Sequence, residues 1–99
     1  MRNVLVTIQY EVPPAKREAF LDHAREMREH ATEVLRLEYE IYEDLERPNC
    51  FTEVFACASR EDYESLDERQ DDRFREMIAR IDRFTDLAKA RYSALLPVQ

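Results

Sequence analysis

The chain has 99 residues, of which 44% are hydrophobic and 37% charged, and its net charge is −7. This length is typical of one domain, so we predict a single domain over residues 1–99. The composition is that of a globular protein, and no apolar run approaches the roughly 20 residues that a membrane-spanning helix needs. The acidic surplus disfavours nucleic acids and anionic membranes as partners.

Glycine is absent from the sequence, although average usage predicts about seven in a chain of this length. Phosphate-binding loops, dinucleotide-binding turns and the nucleophile turn of serine hydrolases need glycine, so these enzyme classes are excluded. The two cysteines, Cys50 and Cys57, lack the spacing of a metal or redox site. We find no secretory leader pattern, and we predict a cytoplasmic protein with free thiols and no metal or cofactor.

Apolar residues alternate over residues 3–12, which predicts a strand with one apolar face. Pro13 and Pro14 end this strand, because proline cannot donate to a sheet and suits the first turn of a helix. Helical periodicity then covers residues 15–34. The apolar side of the predicted helix contains Phe20, Ala24, Met27, Ala31 and Val34.

Alternation returns over residues 35–44 and again over residues 50–58, which predicts a second and a third strand. The short link between them predicts that the two strands pair antiparallel. Asp44, Pro48 and Asn49 provide the turn without glycine, because Asp can accept from nearby backbone amides, Pro fixes φ and Asn tolerates a left-handed backbone.

Ser59, followed three residues later by Asp62, predicts the start of a short helix that ends near Leu66. Helical spacing of apolar residues predicts a second helical stretch that contains Phe74, Met77, Ile78, Ile81 and Phe84. Residues 88–98 are ambiguous, because their alanines favour a helix and their alternation favours a strand. We predict the strand.

The predicted order is β-α-β-β-α-β, which is typical of a ferredoxin-like α+β domain with a four-stranded antiparallel sheet. Helices on a single face leave the other face of the sheet open. The open face is predicted to contain Leu5, Thr7 and Gln9, together with either Phe51 and Phe55 or Val54 and Ala56. A half-apolar face of this size is unfavourable in water, and we predict a face-to-face homodimer.

Residues 39–44 contain two tyrosines and end on an aspartate, residues 48–51 contain a proline and a phenylalanine, and residues 53–55 place a glutamate before a second aromatic. Ser59 and an acidic helix follow. This pattern, with the similar first strand and helix start, resembles the antibiotic biosynthesis monooxygenase (ABM) family over residues 4–84. Leu35 or Arg36 stands where that family usually has glycine, and Phe55 stands where it usually has tryptophan.

The resemblance implies a dimeric α+β barrel in which each subunit keeps a pocket between sheet and helices. Members of the family include cofactor-free oxygenases, haem-degrading enzymes and many domains of unknown activity. We expect the pocket to be lined by Tyr10, Met27, Tyr39, Phe55 and Phe74. Each of these side chains could instead be ordinary core packing.

His23 is the candidate catalytic residue, because a histidine of ordinary pKa can act as a base on an acidic phenolic substrate. His30 is a second candidate on the same helix, but about 10 Å of helical rise excludes a metal shared by the two. Glu53 lies among apolar residues and is costly to bury alone. We expect it to pair with an arginine or a backbone donor across the dimer interface, and we assign Glu53 and Tyr42 structural or interface roles.

Two functions fit these residues. The first is a cofactor-independent monooxygenase that acts on an aromatic or lipophilic small molecule. The alternative is a non-catalytic ligand-binding or dimerisation module, which the missing tryptophan favours. Haem binding is a third and weaker hypothesis.

Overall fold

The computed structural model describes residues 4–98 and contains one four-stranded antiparallel sheet. Its strands are β1 (Val4–Glu11), β2 (Tyr39–Glu43), β3 (Cys50–Cys57) and β4 (Arg91–Leu95), in the spatial order β2-β3-β1-β4. The predicted ferredoxin-like α+β architecture is therefore confirmed. Asn3, with which the predicted first strand begins, lies outside the described residues.

Three α-helices lie against one face of the sheet: α1 (Arg17–Glu29), α2 (Arg60–Glu64) and α3 (Asp72–Ala79). Ser59 caps α2 by accepting a hydrogen bond from the backbone amide of Asp62, as the sequence predicts. Asp71 caps α3 in the same way, through the amide of Phe74. Short 3-10 segments extend this framework at Pro14–Lys16, Leu66–Arg69, Arg80–Arg83 and Leu87–Lys89.

The C-terminal end of the first helix differs from the prediction. The chain continues from α1 as a π-helix, His30–Val34, in which the amide of Leu35 donates to the carbonyl of His30. The wider π-turn rotates later side chains away from the α-helical stripe. Val34 is consequently 62% exposed, so its predicted place on the buried side of the helix is wrong.

The second strand begins later than predicted, at Tyr39 rather than at residue 35. Leu35 still has helical dihedral angles, and Arg36 then reverses the chain with φ of 56°. Of Leu35 and Arg36, the two positions at which the resemblance implies a glycine, it is Arg36 that has the left-handed backbone. Asn49 is the second non-glycine residue of residues 4–98 with positive φ, at 70°, and it completes the turn before β3 as predicted.

The strand register defines the two faces of the sheet. On the face under the helices, Phe51, Glu53, Phe55 and Cys57 of β3 are buried, whereas Val54 and Ala56 point to the open face. The helix-facing side holds the core, which includes Val12, Phe20, Met27, Phe74 and Ile81. The sequence left open whether Phe51 and Phe55 or Val54 and Ala56 lie on the open face, and the structure places Val54 and Ala56 there.

The closing strand β4 confirms that residues 88–98 contain a strand rather than an α-helix, although the strand covers only Arg91–Leu95 of them. It pairs antiparallel with β1, with Ile8 opposite Tyr92 and Thr7 opposite Ser93. All five residues of β4 are exposed, because this strand forms one edge of the sheet and no helix of residues 4–98 covers it. Within the same residues no helix has the length and apolar character required to cross a bilayer.

Candidate functional site

Glu53 is the one fully buried charged side chain among residues 4–98. Its Oε2 accepts a hydrogen bond from the Tyr10 hydroxyl at 2.5 Å, and its Oε1 accepts one from the Tyr39 hydroxyl at 2.6 Å. These lengths are typical of hydrogen bonds to a charged oxygen. The three side chains form a buried cluster, which we call the Tyr–Glu–Tyr cluster.

The strand order brings the three residues together. β3 lies between β1 and β2, so Glu53 has a neighbouring strand on each side. It stands opposite Ile8 on β1 and Ile41 on β2. Tyr10 lies two residues after Ile8 and Tyr39 lies two residues before Ile41, so both are diagonal neighbours of Glu53, at a distance that a tyrosine side chain spans on one sheet face.

Burial raises the pKa of Glu53 above its ordinary value, and the two tyrosine hydroxyls oppose that rise by stabilising the carboxylate. Burial also raises the pKa of Tyr10 and of Tyr39, and the negative charge of Glu53 raises both further. The cluster therefore combines a carboxylate of increased basicity with two phenols that resist ionisation.

The hydrogen-bond partners of Glu53 differ from those that the sequence predicts. The sequence suggests an arginine or a backbone donor from across an interface, whereas both carboxylate oxygens are occupied by tyrosine hydroxyls of the same chain. A phenol can reach a buried carboxylate without adding a second charge to the core, which makes tyrosine the less costly partner.

A cleft of about 720 Å³ opens at the end of the sheet where β1 and β2 finish and β3 and β4 begin. Its volume is within the usual range for small-molecule sites. Apolar and aromatic lining residues are Tyr10, Pro13, Pro14 and Phe51. Charged lining residues are Glu11, Asp44, Arg47, Asp86, Lys89 and Arg91. Tyr10 therefore belongs both to the cleft and to the Tyr–Glu–Tyr cluster.

The other four predicted pocket residues lie in the core. The ring centroid of Tyr39 is 4.7 Å from that of Phe55 and 5.6 Å from that of Phe74. Met27 and Phe74 are fully buried. None of the four lines the cleft, so we correct the predicted pocket: these side chains fill the space between sheet and helices by packing against one another.

His23, the predicted catalytic residue, links two helices. Its Nε2 donates to the backbone carbonyl of Met77 at 2.7 Å, and its ring lies 5.4 Å from that of Phe84. Neither His23 nor His30 lines the cleft. His30 hydrogen bonds through Nε2 to Asp71, the cap of α3, at 2.8 Å. Both histidines thus join α1 and its extension to the second helical region.

Tyr42 lies on the open face of the sheet, opposite Thr52 in the register, and it is 57% exposed. Its interface role stays a prediction. Among residues 4–98 no group of three or more histidine, cysteine, aspartate or glutamate side chains is placed to hold a metal ion.

Sequence reasoning missed the cationic side chains of the cleft, Arg47, Lys89 and Arg91. Lys89 and Arg91 are two residues apart, whereas Arg47 comes from the distant turn between β2 and β3, and the sheet topology brings the two parts of the chain to one end of the sheet. The Tyr–Glu–Tyr cluster had a usable signal, because Tyr10, Tyr39 and Glu53 are all predicted to lie on strands and alternation assigns each a face.

The fold is similar to several solved structures. A conserved protein from Methanosarcina mazei Go1 has a TM-score of 0.78 and 20% identity, over 96% of this chain and 92% of that one. A structure named antibiotic biosynthesis monooxygenase has a TM-score of 0.75 and 18% identity, over 97% and 99%. A conserved protein of unknown function from Bacteroides thetaiotaomicron has a TM-score of 0.73 and 12% identity, over 97% and 98%.

No family model and no curated protein matches the chain. At these identities the structural likeness concerns the fold, and it extends over nearly the whole chain. The four-stranded antiparallel sheet with helices on one face is the architecture that the order of elements in the sequence predicts. The chain therefore has the same fold as the structure named antibiotic biosynthesis monooxygenase.

Proposed function

We propose that the chain is a homodimeric ABM-like domain that oxidises a small aromatic or lipophilic molecule with O2, without a cofactor, in the cleft beside Tyr10. The observation that carries this proposal is the double position of Tyr10. It lines the cleft and also donates to the buried carboxylate of Glu53. The name of one structural neighbour, antibiotic biosynthesis monooxygenase, supports the same reaction class.

Tyr10 and Glu53 would form a proton relay. A substrate proton passes to the Tyr10 oxygen while the hydroxyl proton of Tyr10 passes to Oε2 of Glu53. Tyr10 therefore never carries a net charge, in keeping with its raised pKa. The raised pKa of Glu53 makes it a stronger base toward a weak acid, which is the requirement for general-base catalysis near neutral pH.

The oxidation is balanced with O2 as the only oxidant. For a CH2 group between aromatic rings, proton loss to the relay leaves a carbanion that transfers electrons to O2. Two C–H bonds break, one C=O bond forms, and the second oxygen atom leaves as water. The electrons come from the substrate alone.

The homodimer is proposed from the open face of the sheet. Leu5, Val54 and Ala56 are partly buried there by their neighbours within the sheet, and Leu95 lies further exposed beside them. Apolar faces of this kind are usually covered, and a two-fold pair of identical subunits is the commonest solution. Cytoplasmic location is part of the proposal, supported by the two free cysteines.

The alternative function is a non-catalytic ligand-binding or dimerisation module. The positions of His23 and of the packed core favour it: the histidine is hydrogen bonded between helices, and the aromatic residues of the core pack against one another. In this case the Tyr–Glu–Tyr cluster only joins three strands.

Incubation with an anthrone-type substrate under O2, followed by O2 uptake and chromatography of the quinone product, separates the two functions. We expect turnover by the wild type and a loss of about 100-fold or more in Tyr10→Phe, since general-base catalysis contributes about 10²–10⁴-fold. The matched variant Tyr39→Phe removes the other hydrogen bond to Glu53 without altering a cleft residue, so we expect a smaller loss. Absence of turnover over a panel of such substrates, with an intact dimer, would establish the alternative.

A further inference from the structure

The Tyr–Glu–Tyr cluster places two oxidisable rings against one proton acceptor. Among aromatic side chains, tryptophan and tyrosine lose an electron most readily, and the sequence contains five tyrosines and no tryptophan. Tyr10 and Tyr39 are buried, and both donate to the carboxylate of Glu53. The other three tyrosines are exposed: Tyr42, Tyr63 and Tyr92. The buried pair is thus distinguished by a base in direct contact with each hydroxyl proton.

Loss of an electron from Tyr10 would remove the charge that is buried in the core. A phenol that has lost an electron is a strong acid, and it gives its hydroxyl proton to a base in contact with it. That base is Oε2 of Glu53, 2.5 Å from the Tyr10 oxygen. The products are a neutral phenoxyl radical and a neutral carboxylic acid. Because an ion is far more costly in an apolar interior than a neutral polar group, burial favours this oxidation.

The hydrogen bonds of the cluster persist after the electron has left. The protonated carboxyl group of Glu53 can donate from Oε2 to the Tyr10 oxygen, which has become an acceptor. Tyr39 continues to donate to Oε1 at 2.6 Å. The penalty for an unsatisfied buried group therefore does not arise. One proton moves along one existing hydrogen bond, and no side chain has to turn.

Tyr10 is the member of the pair nearer to solution. Its side chain belongs to the lining of the cleft as well as to the core. Tyr39 is enclosed by aromatic neighbours, with ring centroids 4.7 Å from Phe55 and 5.6 Å from Phe74. Since electron transfer is favoured at short distance, Tyr10 is the better donor to an oxidant in solution.

We propose that Tyr10 is a redox-active residue that gives one electron to an oxidant in solution, of the organic peroxyl-radical class, while its proton passes to Glu53. The electron leaves the Tyr10 ring, the O–H bond of Tyr10 breaks, and an O–H bond forms at Oε2 of Glu53. The peroxyl radical is reduced to the peroxide anion, so atoms and charge balance. In the oxidation proposed above, Tyr10 moves only protons and the substrate supplies the electrons, so either role can hold without the other.

The test uses the full chain with the three exposed tyrosines replaced by phenylalanine, so that the cluster holds its only tyrosines. A laser flash generates ruthenium(III) tris-bipyridine, a one-electron oxidant, and transient absorbance and freeze-quench EPR follow the phenoxyl radical. We expect a radical in this background and the loss of most of it in Tyr10→Phe. The matched variant Tyr39→Phe removes the other ring but keeps Tyr10 and its contact with Oε2 of Glu53, so most of the radical should remain.

Glu53→Gln tests the proton acceptor. An amide cannot take the proton, and we expect radical formation to slow by about 100-fold or more, since a positioned proton acceptor contributes about 10²–10⁴-fold. A solvent isotope effect in the unaltered cluster tests the same step without a change in the core. The hydroxyl proton exchanges with solvent, so radical formation should be slower in D2O than in H2O.

Each outcome has a definite meaning. A radical confined to Tyr39, equal rates in D2O and H2O, or no radical from the cluster would overturn the inference. A radical at Tyr10 in a protein that oxidises no anthrone supports the inference and contradicts only the proposed oxidation. Anthrone turnover without a radical at Tyr10 has the opposite meaning.

Discussion

Tyr39 and Glu53 form a buried hydrogen bond of 2.6 Å between the edge strand β2 and the inner strand β3. From β1, on the other side of β3, the Tyr10 hydroxyl donates a second hydrogen bond to the Glu53 carboxylate at 2.5 Å. Each buried side-chain nitrogen and oxygen of residues 4–98 has a hydrogen-bond partner. The charge of Glu53 is therefore held by two phenols within the same chain, and its stability consequences can be measured directly.

Replacement of Glu53 changes how stability depends on pH. Its pKa is raised in the folded state, so its contribution to stability is fully present below the ordinary value of 4.5 and is lost as pH rises through the raised value. Glu53→Gln does not titrate. We expect the stability of this variant relative to wild type to increase between pH 5 and pH 8, as measured by urea unfolding at several pH values. A difference that stays constant over this range would contradict the raised pKa.

Removal of a single tyrosine hydroxyl weakens the cluster. Tyr39→Phe should destabilise the protein by about 1.5–3 kcal/mol, because hydrogen bonds to charged groups contribute about this much and Glu53 stays buried. Tyr63→Phe, on the surface helix α2, is the control and should change the free energy of unfolding by less than about 0.5 kcal/mol. Equal effects of the two variants in urea unfolding would show that the buried hydrogen bond is dispensable.

Arg17 and Glu43 join the start of α1 to the end of β2 by a two-pronged ion pair, with contacts of 2.5 and 2.8 Å. The pKa of Glu43 is lowered to about 2, first by its hydrogen bonds to Arg17 and then by the amide of Asn49. Its contribution to stability is present above the ordinary value of 4.5 and is lost as pH falls toward about 2.

The corresponding variant is Glu43→Gln. We expect it to be less stable than wild type at pH 7 and to approach wild-type stability between pH 4.5 and pH 2, in thermal unfolding followed by circular dichroism. Glu18→Gln changes an exposed glutamate of the same region outside this ion pair and serves as the control. A deficit in Glu43→Gln that persists unchanged at pH 2 would argue against the ion pair.

His23 is expected to act on stability alone. His23→Ala removes the hydrogen bond to Met77 and the contact with Phe84, and it should lower the free energy of unfolding by about 1–2 kcal/mol. Below the unfolding temperature, turnover per folded molecule should equal that of wild type. A selective loss of kcat in the folded variant would restore His23 as a catalytic residue.

The open face is tested by a charge at its centre. Val54→Arg places a cation opposite Thr7, on the surface that we propose to be shared by two subunits. Light scattering should give twice the chain mass of 11.9 kDa for wild type and the single mass for the variant. The control Ala19→Arg adds the same charge on exposed α1 and should remain dimeric. A wild type that is monomeric at high micromolar concentration would refute the proposed pairing.

Periodicity and caps were sufficient to predict most of the fold. The alternation from Val4 to Val12 defines the first strand and its buried face, because side chains of a strand point to opposite sides. Ser59 marks the start of α2 through a local hydrogen bond. Asp44 and Asn49 define the turn for equally local reasons.

Features that depend on distant parts of the chain were not predictable in this way. The spacing of apolar residues does not reveal that the first helix ends in a π-helical turn. The sequence therefore predicts a buried Val34, which is exposed in the structure. The partners of Glu53 depend on the register of three strands. Arg47 and Arg91 are more than 40 residues apart in sequence, and both line the cleft only because the strand order places their segments at the same end of the sheet.

Arg36 and Asn49 show how a polypeptide without glycine makes its sharp reversals. Since every residue carries a Cβ, the unfolded ensemble samples fewer backbone conformations, and less entropy is lost on folding. The absence of glycine also has a cost in the folded state. It falls mainly on Arg36, because a left-handed backbone costs a residue with a Cβ about 1–2 kcal/mol. The substitution Arg36→Gly would relieve the backbone strain of the folded state. It would also enlarge the unfolded ensemble, so the two effects on the free energy of unfolding oppose each other.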